Sequence, residues 1–397
     1  MNRSAWWLGL ALLLWSTSFN LTLPFLPLVA EARGATPWQV GLVQGVAFVG
    51  AALALIPGGL LADRIGFRLT LLAGWGIGGA GALLLWRGES WQALLPGAFF
   101  LLAGAGASPA LAALSAALAR AGSLRRSVSL VFAAAPGGLL LGSAGAGLIS
   151  ERWGMAALFP AATLVTVVAM LVLLRVPDPQ PEHRAHPAGP KAAAPHTSNF
   201  VKLMVLAVPA GIGYLLLSLP GTFLTPYLRD VLHLSLTGTG LTSAVLAIGQ
   251  LGWSALFAAW PGDLGTVDAG VGRMRLRLSR GTLLALTVCL GANALYGFLL
   301  PVAGSAFMAA AVLILRGALV SLQPLGLALV SETTGTGAGL AGRFSVLALI
   351  MSLSTSVSPV LAGALYTAHP AYPFYVAGLA AALGALALTF LGLTGRQ

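Results

Sequence analysis

Residues 57–72 read PGGLLADRIGFRLTLL. Three charged side chains, Asp63, Arg64 and Arg68, fall within six positions there, with Gly59 before them and Gly66 among them. On either side lie about twenty residues with almost no charge, the length a helix needs to cross a bilayer. A short charged island between two such runs marks a place where the chain leaves a membrane, turns in water and re-enters.

The rest of the chain supports this reading. Of its 397 residues, 58% are hydrophobic and 8% charged, against about 25% charged in average soluble domains. So few charges cannot cover a water-soluble surface of this size. No short segments of alternating hydrophobicity point to a barrel. The net charge of +11 sits in small basic clusters between apolar runs, with no stacking motif or basic stripe, so nucleic acid is not an expected partner. A single cysteine, Cys289, supports neither an intrachain disulfide nor a metal site.

Twelve apolar spans are expected: about 5–30, 38–61, 69–87, 92–118, 128–150, 155–175, 201–228, 238–260, 281–302, 304–330, 340–366 and 371–394. The first is too long, and too interrupted by Asn20 and Pro24, for a cleaved signal segment. Residues 176–199, with six prolines and no apolar periodicity, read as a linker between six-helix halves at 1–175 and 200–397. Its His183, His186 and His196 have no metal-ligand spacing.

Placing the N-terminus in the cytoplasm puts sixteen lysines and arginines inside. Only Arg33, Arg87, Arg152 and Arg229 are then outside, and Arg316 lies within a span. The positive-inside rule therefore predicts cytoplasmic termini and linker in a multi-pass protein of the inner (cytoplasmic) membrane. The halves also repeat. Pro27 and Gly41 return as Pro226 and Gly240, and Ser143, Gly147 and Phe159 return as Pro359, Gly363 and Tyr375. Such duplication is typical of secondary transporters.

Gly59-x-x-x-Asp63-Arg64-x-Gly66-x-Arg68, between spans 2 and 3 of twelve, resembles the signature loop of the major facilitator superfamily. The resemblance implies an all-α membrane fold of twelve helices in two pseudo-symmetric bundles. It also implies that Asp63, Arg64 and Arg68 form a conformational latch stabilising the outward-open state. Asp63 sits at a helix C-terminus, where the dipole disfavours it, so a helix N-terminus of the other half, near Gly339, is its expected dock. Gly59 is read as permitting close helix approach, and Gly66 as giving a tight turn. In span 5, Gly138-x-x-x-Gly142-Ser143-x-x-Ala146-Gly147 resembles the family exporters' glycine motif, with Ser143 in place of proline. Ordinary small-residue packing explains it equally well. Phe100 stands where exporters often carry an arginine, which weakens a reading of proton-driven drug export.

The family's cavity is lined mainly by helices 1, 4, 7 and 10. The resemblance thus points to Asn20, Tyr214, Arg316 and Gln323 as substrate contacts, with Gln44 and Gln250 behind them. For each neutral residue an interhelical hydrogen bond is the alternative. Arg316 has three readings: an anion contact, a structural tie to polar neighbours, or a gating contact. An enzyme is not expected, since no span contains His, Asp or Glu. No cofactor or metal is implied. The expected function is transport of a small solute by alternating access, through an efflux-type permease for a neutral or anionic amphiphile acting as a monomer. The alternatives are uptake or exchange of a small organic anion, and a non-transporting sensor on the same scaffold.

Overall fold

The computed structural model describes residues 3–118, 131–178, 197–260, 265–271, 274–322, 325–326, 329 and 340–394. The linker histidines lie outside these residues. Among the described residues the molecule forms twelve long helices of a membrane protein. Its helices are α1 (Arg3–Ala32), α2 (Pro37–Ile65), α3 (Phe67–Arg87), α4 (Leu94–Ala117), α5 (Ala134–Trp153) and α6 (Met155–Leu173) in the first half. The second half has α7 (Thr197–Ser218, continued by Pro220–Asp230), α8 (Leu236–Ala258), α9 (Arg280–Val302), α10 (Ala306–Ser321), α11 (Leu340–Ala368) and α12 (Tyr372–Thr394).

These helices form because each is a long run of Leu, Ala and Val whose backbone must satisfy itself where there is no water. Their outer faces stay apolar. Leu164, Leu386 and Phe390 are each 66% exposed, which a bilayer requires and water would penalise. Glycines let the backbones approach. At Gly66, φ is +97°, so the chain turns there from α2 into α3 at no steric cost.

The chain folds as two compact units. One comprises residues 1–186 together with 221–247 and 356–370. Within it α1 packs on α5 and α6, and Trp15 stacks between Phe19 (5.5 Å) and Trp75 (5.6 Å). Helix α4 tightens to a 3-10 turn over Gly104–Ala107, just before Pro109, whose missing N–H is accommodated in the first turn that follows. The other unit holds 187–220, 248–355 and 371–397. There Gly297 of α9 meets Gly378 of α12, and Gly317 of α10 meets Gly249 of α8.

Two features depart from expectation. Residues 261–280 fall between the expected spans 238–260 and 281–302, where only a loop is expected, yet β1 (Thr266–Val271) and β2 (Met274–Ser279) pair as an antiparallel hairpin. The period-two pattern Met274-Arg-Leu-Arg-Leu-Ser279 explains it, because Leu278 opposes Val267 and both are buried beside Leu283. Helix α10 is also less regular than a plain span: its α-helical part ends at Arg316 and a 3-10 stretch covers Gly317–Ser321.

Candidate functional site

The residues that repeat in the sequence form two crossings between the halves, both inside the first compact unit. In one, Gly41 of α2 lies against the Pro359 carbonyl of α11, and Gly363 lies against Pro37 and Trp38. In the other, a Cβ on Gly240 of α8 would stand 2.5 Å from the Ser143 carbonyl of α5, and one on Gly147 would stand 2.6 Å from the Leu236 carbonyl. Each crossing therefore admits only glycine without backbone movement. Four hydroxyls of the second crossing, those of Ser143, Ser150, Thr239 and Ser243, are buried with no hydrogen-bond partner among the described residues.

Polar ties surround these crossings at the same ends of the helices. The Thr225 hydroxyl of α7 donates to the Pro24 carbonyl of α1 (2.5 Å). Arg229 donates to Glu31 (2.8 Å) and forks onto its neighbour Asp230 (2.5 and 2.8 Å). The Thr237 N–H, at the start of α8, donates to Glu151 at the end of α5 (2.7 Å). Glu151 is exposed and lies just past the apolar run of α5. Hydrogen bonds from Thr237, side chain first and backbone second, hold its carboxyl below the ordinary carboxylate range. A carboxylate is well placed there, since the α8 N-terminus offers free N–H groups and a positive dipole end.

The signature loop lies at the opposite ends of these helices. Asp63 and Arg64 are exposed, and Asp63 has no ion pair among the described residues. Gly339, its expected dock, lies outside them. Arg68 does not swing free: its Nη1 donates to the carbonyls of Leu174 (3.5 Å) and Val176 (3.2 Å) at the end of α6. Gly59 was expected to allow close approach, but a Cβ there would meet nothing within 4 Å. Its neighbour Gly58 makes the approach instead, against the Gly106 carbonyl of α4, because the helix turns position 58 inward toward α4.

The second unit holds Arg316. It is 6% exposed. Its Nη1 donates to the Leu217 carbonyl (2.6 Å) and to Asn293 Oδ1 (3.3 Å), and its guanidinium lies 5.1 Å from the Tyr296 ring centre. Every one of these partners is neutral, so among the described residues the charge is solvated by dipoles but not cancelled. Tyr214 lies half-buried on α7. Gln323 is outside the described residues. In the first unit Asn20 is half-buried and turns its amide back onto Ser16 (2.8 Å to the carbonyl oxygen). Gln44 donates to the Leu23 carbonyl (3.3 Å), an interhelical bond. Among the described residues no group of three or more His, Cys, Asp or Glu could hold a metal.

The Major Facilitator Superfamily family model matches residues 8–290 of this chain. The chain belongs to that superfamily. It is a family of transporters, not of enzymes. The chain is 31% identical over 180 residues to "Multidrug resistance protein MdtG" of Klebsiella pneumoniae (strain 342), covering 44% of this chain and 43% of that protein. It is 32% identical over 181 residues to the Citrobacter koseri protein of the same name, with the same coverage. The alignment thus spans under half the length of these curated relatives. Solved structures share the fold over nearly the whole chain. A variant of the nucleoside transporter NupG aligns with TM-score 0.75 at 12% identity, covering 97% of this chain and 99% of that one. The human organic anion transporter MFSD10 (TETRAN) aligns with TM-score 0.67 at 18% identity, again covering 97% and 99%.

In this superfamily member the helix 5 motif serves two neighbours. Gly138 and Gly142 seat α1: a Cβ on Gly142 would be 2.6 Å from the Thr17 carbonyl and 2.7 Å from Asn20 Cβ. Ser143 and Gly147 seat α8. The sequence reading missed the Glu31–Arg229 and Glu151–Thr237 ties. Its available signal was that both acids sit at span ends, next to the few arginines on the less basic side. It also missed Asn293 and Tyr296, whose spacing of three on α9 places two polar groups on one helix face.

Proposed function

We propose that this chain is a secondary transporter that exports a neutral or anionic amphiphilic compound across the cytoplasmic membrane by alternating access, acting as a monomer. The observation that carries the reading is the pair of glycine crossings at one end of the helices. Contacts this close are either made or broken, so they suit a gate with two states rather than a graded hinge. Positive-inside asymmetry assigns that end to the outside, with termini and linker in the cytoplasm. The crossings, the Glu31–Arg229 pair and the Glu151–Thr237 cap then form an outer gate, held closed here. The halves 1–175 and 200–397 are the moving bodies. Asp63, Arg64 and Arg68 form the loop latch that favours the opposite, outward-open state.

The direction of transport rests on the likeness to the MdtG proteins, and the substrate class rests on Arg316. An arginine this deep costs at least about 2.5–3.5 kcal/mol to insert, and it cannot shed its proton. Its neutral partners leave a positive potential that favours a carboxylate, sulfonate or phosphate on the substrate and disfavours a cation. Asn20, Tyr214 and Gln323 are the further substrate contacts in this reading.

Uptake of fluorescent amphiphiles into inside-out vesicles, with and without a pH gradient, tests it. An anionic or neutral dye should accumulate and a matched cationic dye should not. Arg316→Gln should lower accumulation of the anionic dye about tenfold and leave the neutral one within about twofold. Equal handling of anionic and cationic dyes, unchanged by Arg316→Gln, would sink the assignment.

A further inference from the structure

At the other end of the first unit a cleft of about 510 Å³ opens between the start of α1 and the end of α6. It is lined by Arg3, Ser4, Trp7 and Arg175. The Arg175 guanidinium lies 5.0 Å from the centre of the Trp7 ring. Among the described residues no carboxylate lines the cleft, and neither arginine forms an ion pair. Arg68 donates to the carbonyls of Leu174 and Val176, on either side of Arg175. Among the described residues the Arg175 side chain is held by the Trp7 ring and paired with no carboxylate. Beside it, Trp6 stands edge-on to Trp7 at 5.3 Å and is half exposed, as aromatic side chains are at a membrane–water boundary.

An apolar track leads into this cleft. Leu164, Val167, Leu171 and Leu174 of α6 and its last turn share one exposed face, the spacing being three or four residues. Two guanidiniums and a hydroxyl at the boundary, with a greasy stripe running from them into the bilayer, match one kind of molecule. The head must be anionic and the tail an acyl chain. Arginine forks onto phosphate oxygens bidentately. Basic clefts at the inner ends of membrane helices suit anionic headgroups because that leaflet carries them.

We infer that this cleft is a binding site for an anionic glycerophospholipid, with the phosphodiester between Arg3 and Arg175 and an acyl chain along the exposed face of α6. Such a lipid would bridge the first and last helices of the N-terminal half. The inference rests on the orientation proposed above for which leaflet supplies the lipid, but not on the substrate or the direction of transport.

The test is native mass spectrometry of the purified full-length protein, titrated with dioleoyl phosphatidylglycerol or dioleoyl phosphatidylcholine. The wild type should retain the glycerol lipid about tenfold to thirtyfold better, the range for two basic side chains at a membrane surface. The double variant Arg3→Gln/Arg175→Gln should lose that preference, while Arg175→Lys keeps most of it. Arg87→Gln serves as the control, because Arg87 also lies over a tryptophan (5.3 Å from the Trp86 ring centre) at the other end of the molecule. It should leave the preference unchanged. A monodisperse elution profile establishes that each variant is folded. Equal retention of the two lipids by the wild type would overturn the inference, as would an equal loss in Arg87→Gln. Displacement by inorganic phosphate at lipid-like concentrations would assign the cleft to free phosphate instead. Transport plays no part in this readout, so a negative result leaves the exporter reading standing.

Discussion

The crossing of α2 with α11 and that of α5 with α8 use one device twice: a glycine set against the backbone of the opposite half. They are finished differently. The start of α2 is capped within its own half, where the Thr36 N–H donates to Gln39 Oε1 at 2.8 Å. The start of α8 has a cap of its own half, the Ser235 hydroxyl accepting from the Gly238 N–H at 3.0 Å, and a second from the other half, Glu151. The α2 crossing meets Pro359, which has no N–H to satisfy, and the α5 crossing meets Ser143, which brings an unpaired hydroxyl. The geometry of the two is alike, but the first crossing is self-contained and the second adds a charged cap and buried hydroxyls.

The largest test asks whether the two crossings are equivalent at all. Gly41→Leu and Gly240→Leu should each prevent closure, since the added side chain meets backbone that has nowhere to go. Transport should fall about tenfold to a hundredfold in both, the range for overpacking. Outer-side accessibility reads the same event directly. In a Cys289→Ala background, Thr225→Cys should become reactive to an impermeant maleimide when either glycine is replaced. If only one replacement has this effect, the crossings are not equivalent gates.

A smaller effect should separate the two caps. Glu151→Gln removes charge from a partner in the other half, so closure should weaken roughly twofold to fivefold. Gln39→Ala should weaken it less, because that bond is made in both states. The pH dependence follows from the lowered Glu151 carboxyl. Closed, it titrates below the ordinary carboxylate range; open, it returns to that range. Its contribution to closure is thus complete above the ordinary range and is lost as outside pH falls through the lowered value. Maleimide reactivity of Thr225→Cys should rise in acid in the wild type and stay flat in Glu151→Gln. A rise of equal size in both would remove Glu151 from the gate.

The smallest effect should come from Ser143→Ala. It deletes an unpaired hydroxyl and leaves the backbone crossing untouched, so the closed state should gain a few-fold in population. Slower turnover with lower maleimide reactivity is the expected pair of changes. Lower reactivity in Ser143→Ala with unchanged turnover would show that closure does not limit the cycle.

Much of this architecture was legible in the sequence. Span length and the scarcity of charge determine how many times the chain crosses, because the bilayer allows few alternatives. Gly41, Gly147, Gly240 and Gly363 stood out by their repeat, and all four lie at the crossings. What could not be read was which glycine of a pair faces a neighbour. Gly58 and Gly59 are adjacent, and only helix rotation in the packed unit decides between them. The ties of Glu31 and Glu151 were hidden for another reason. Each joins residues 86 to 198 positions apart, and neither has a motif of its own. The hairpin at 266–279 was hidden by its arginines, which drew attention to charge and away from alternation.

The unpaired hydroxyls of the α5–α8 crossing bear on how fast such a machine can run. A gate built from glycine packing and ion pairs alone would sit almost permanently shut. Each hydroxyl stranded from water raises the closed state by about 1 kcal/mol, the low end for an unsatisfied polar group, and opening returns each one to solvent. Ser143, Ser150, Thr239 and Ser243 together bring the occupancies of the two states closer to parity. A carrier is quickest when neither state is a resting place, because the slower of its two reorientations limits the whole cycle. Residues that bind no substrate and hold no partner would then set the tempo of exchange across the membrane.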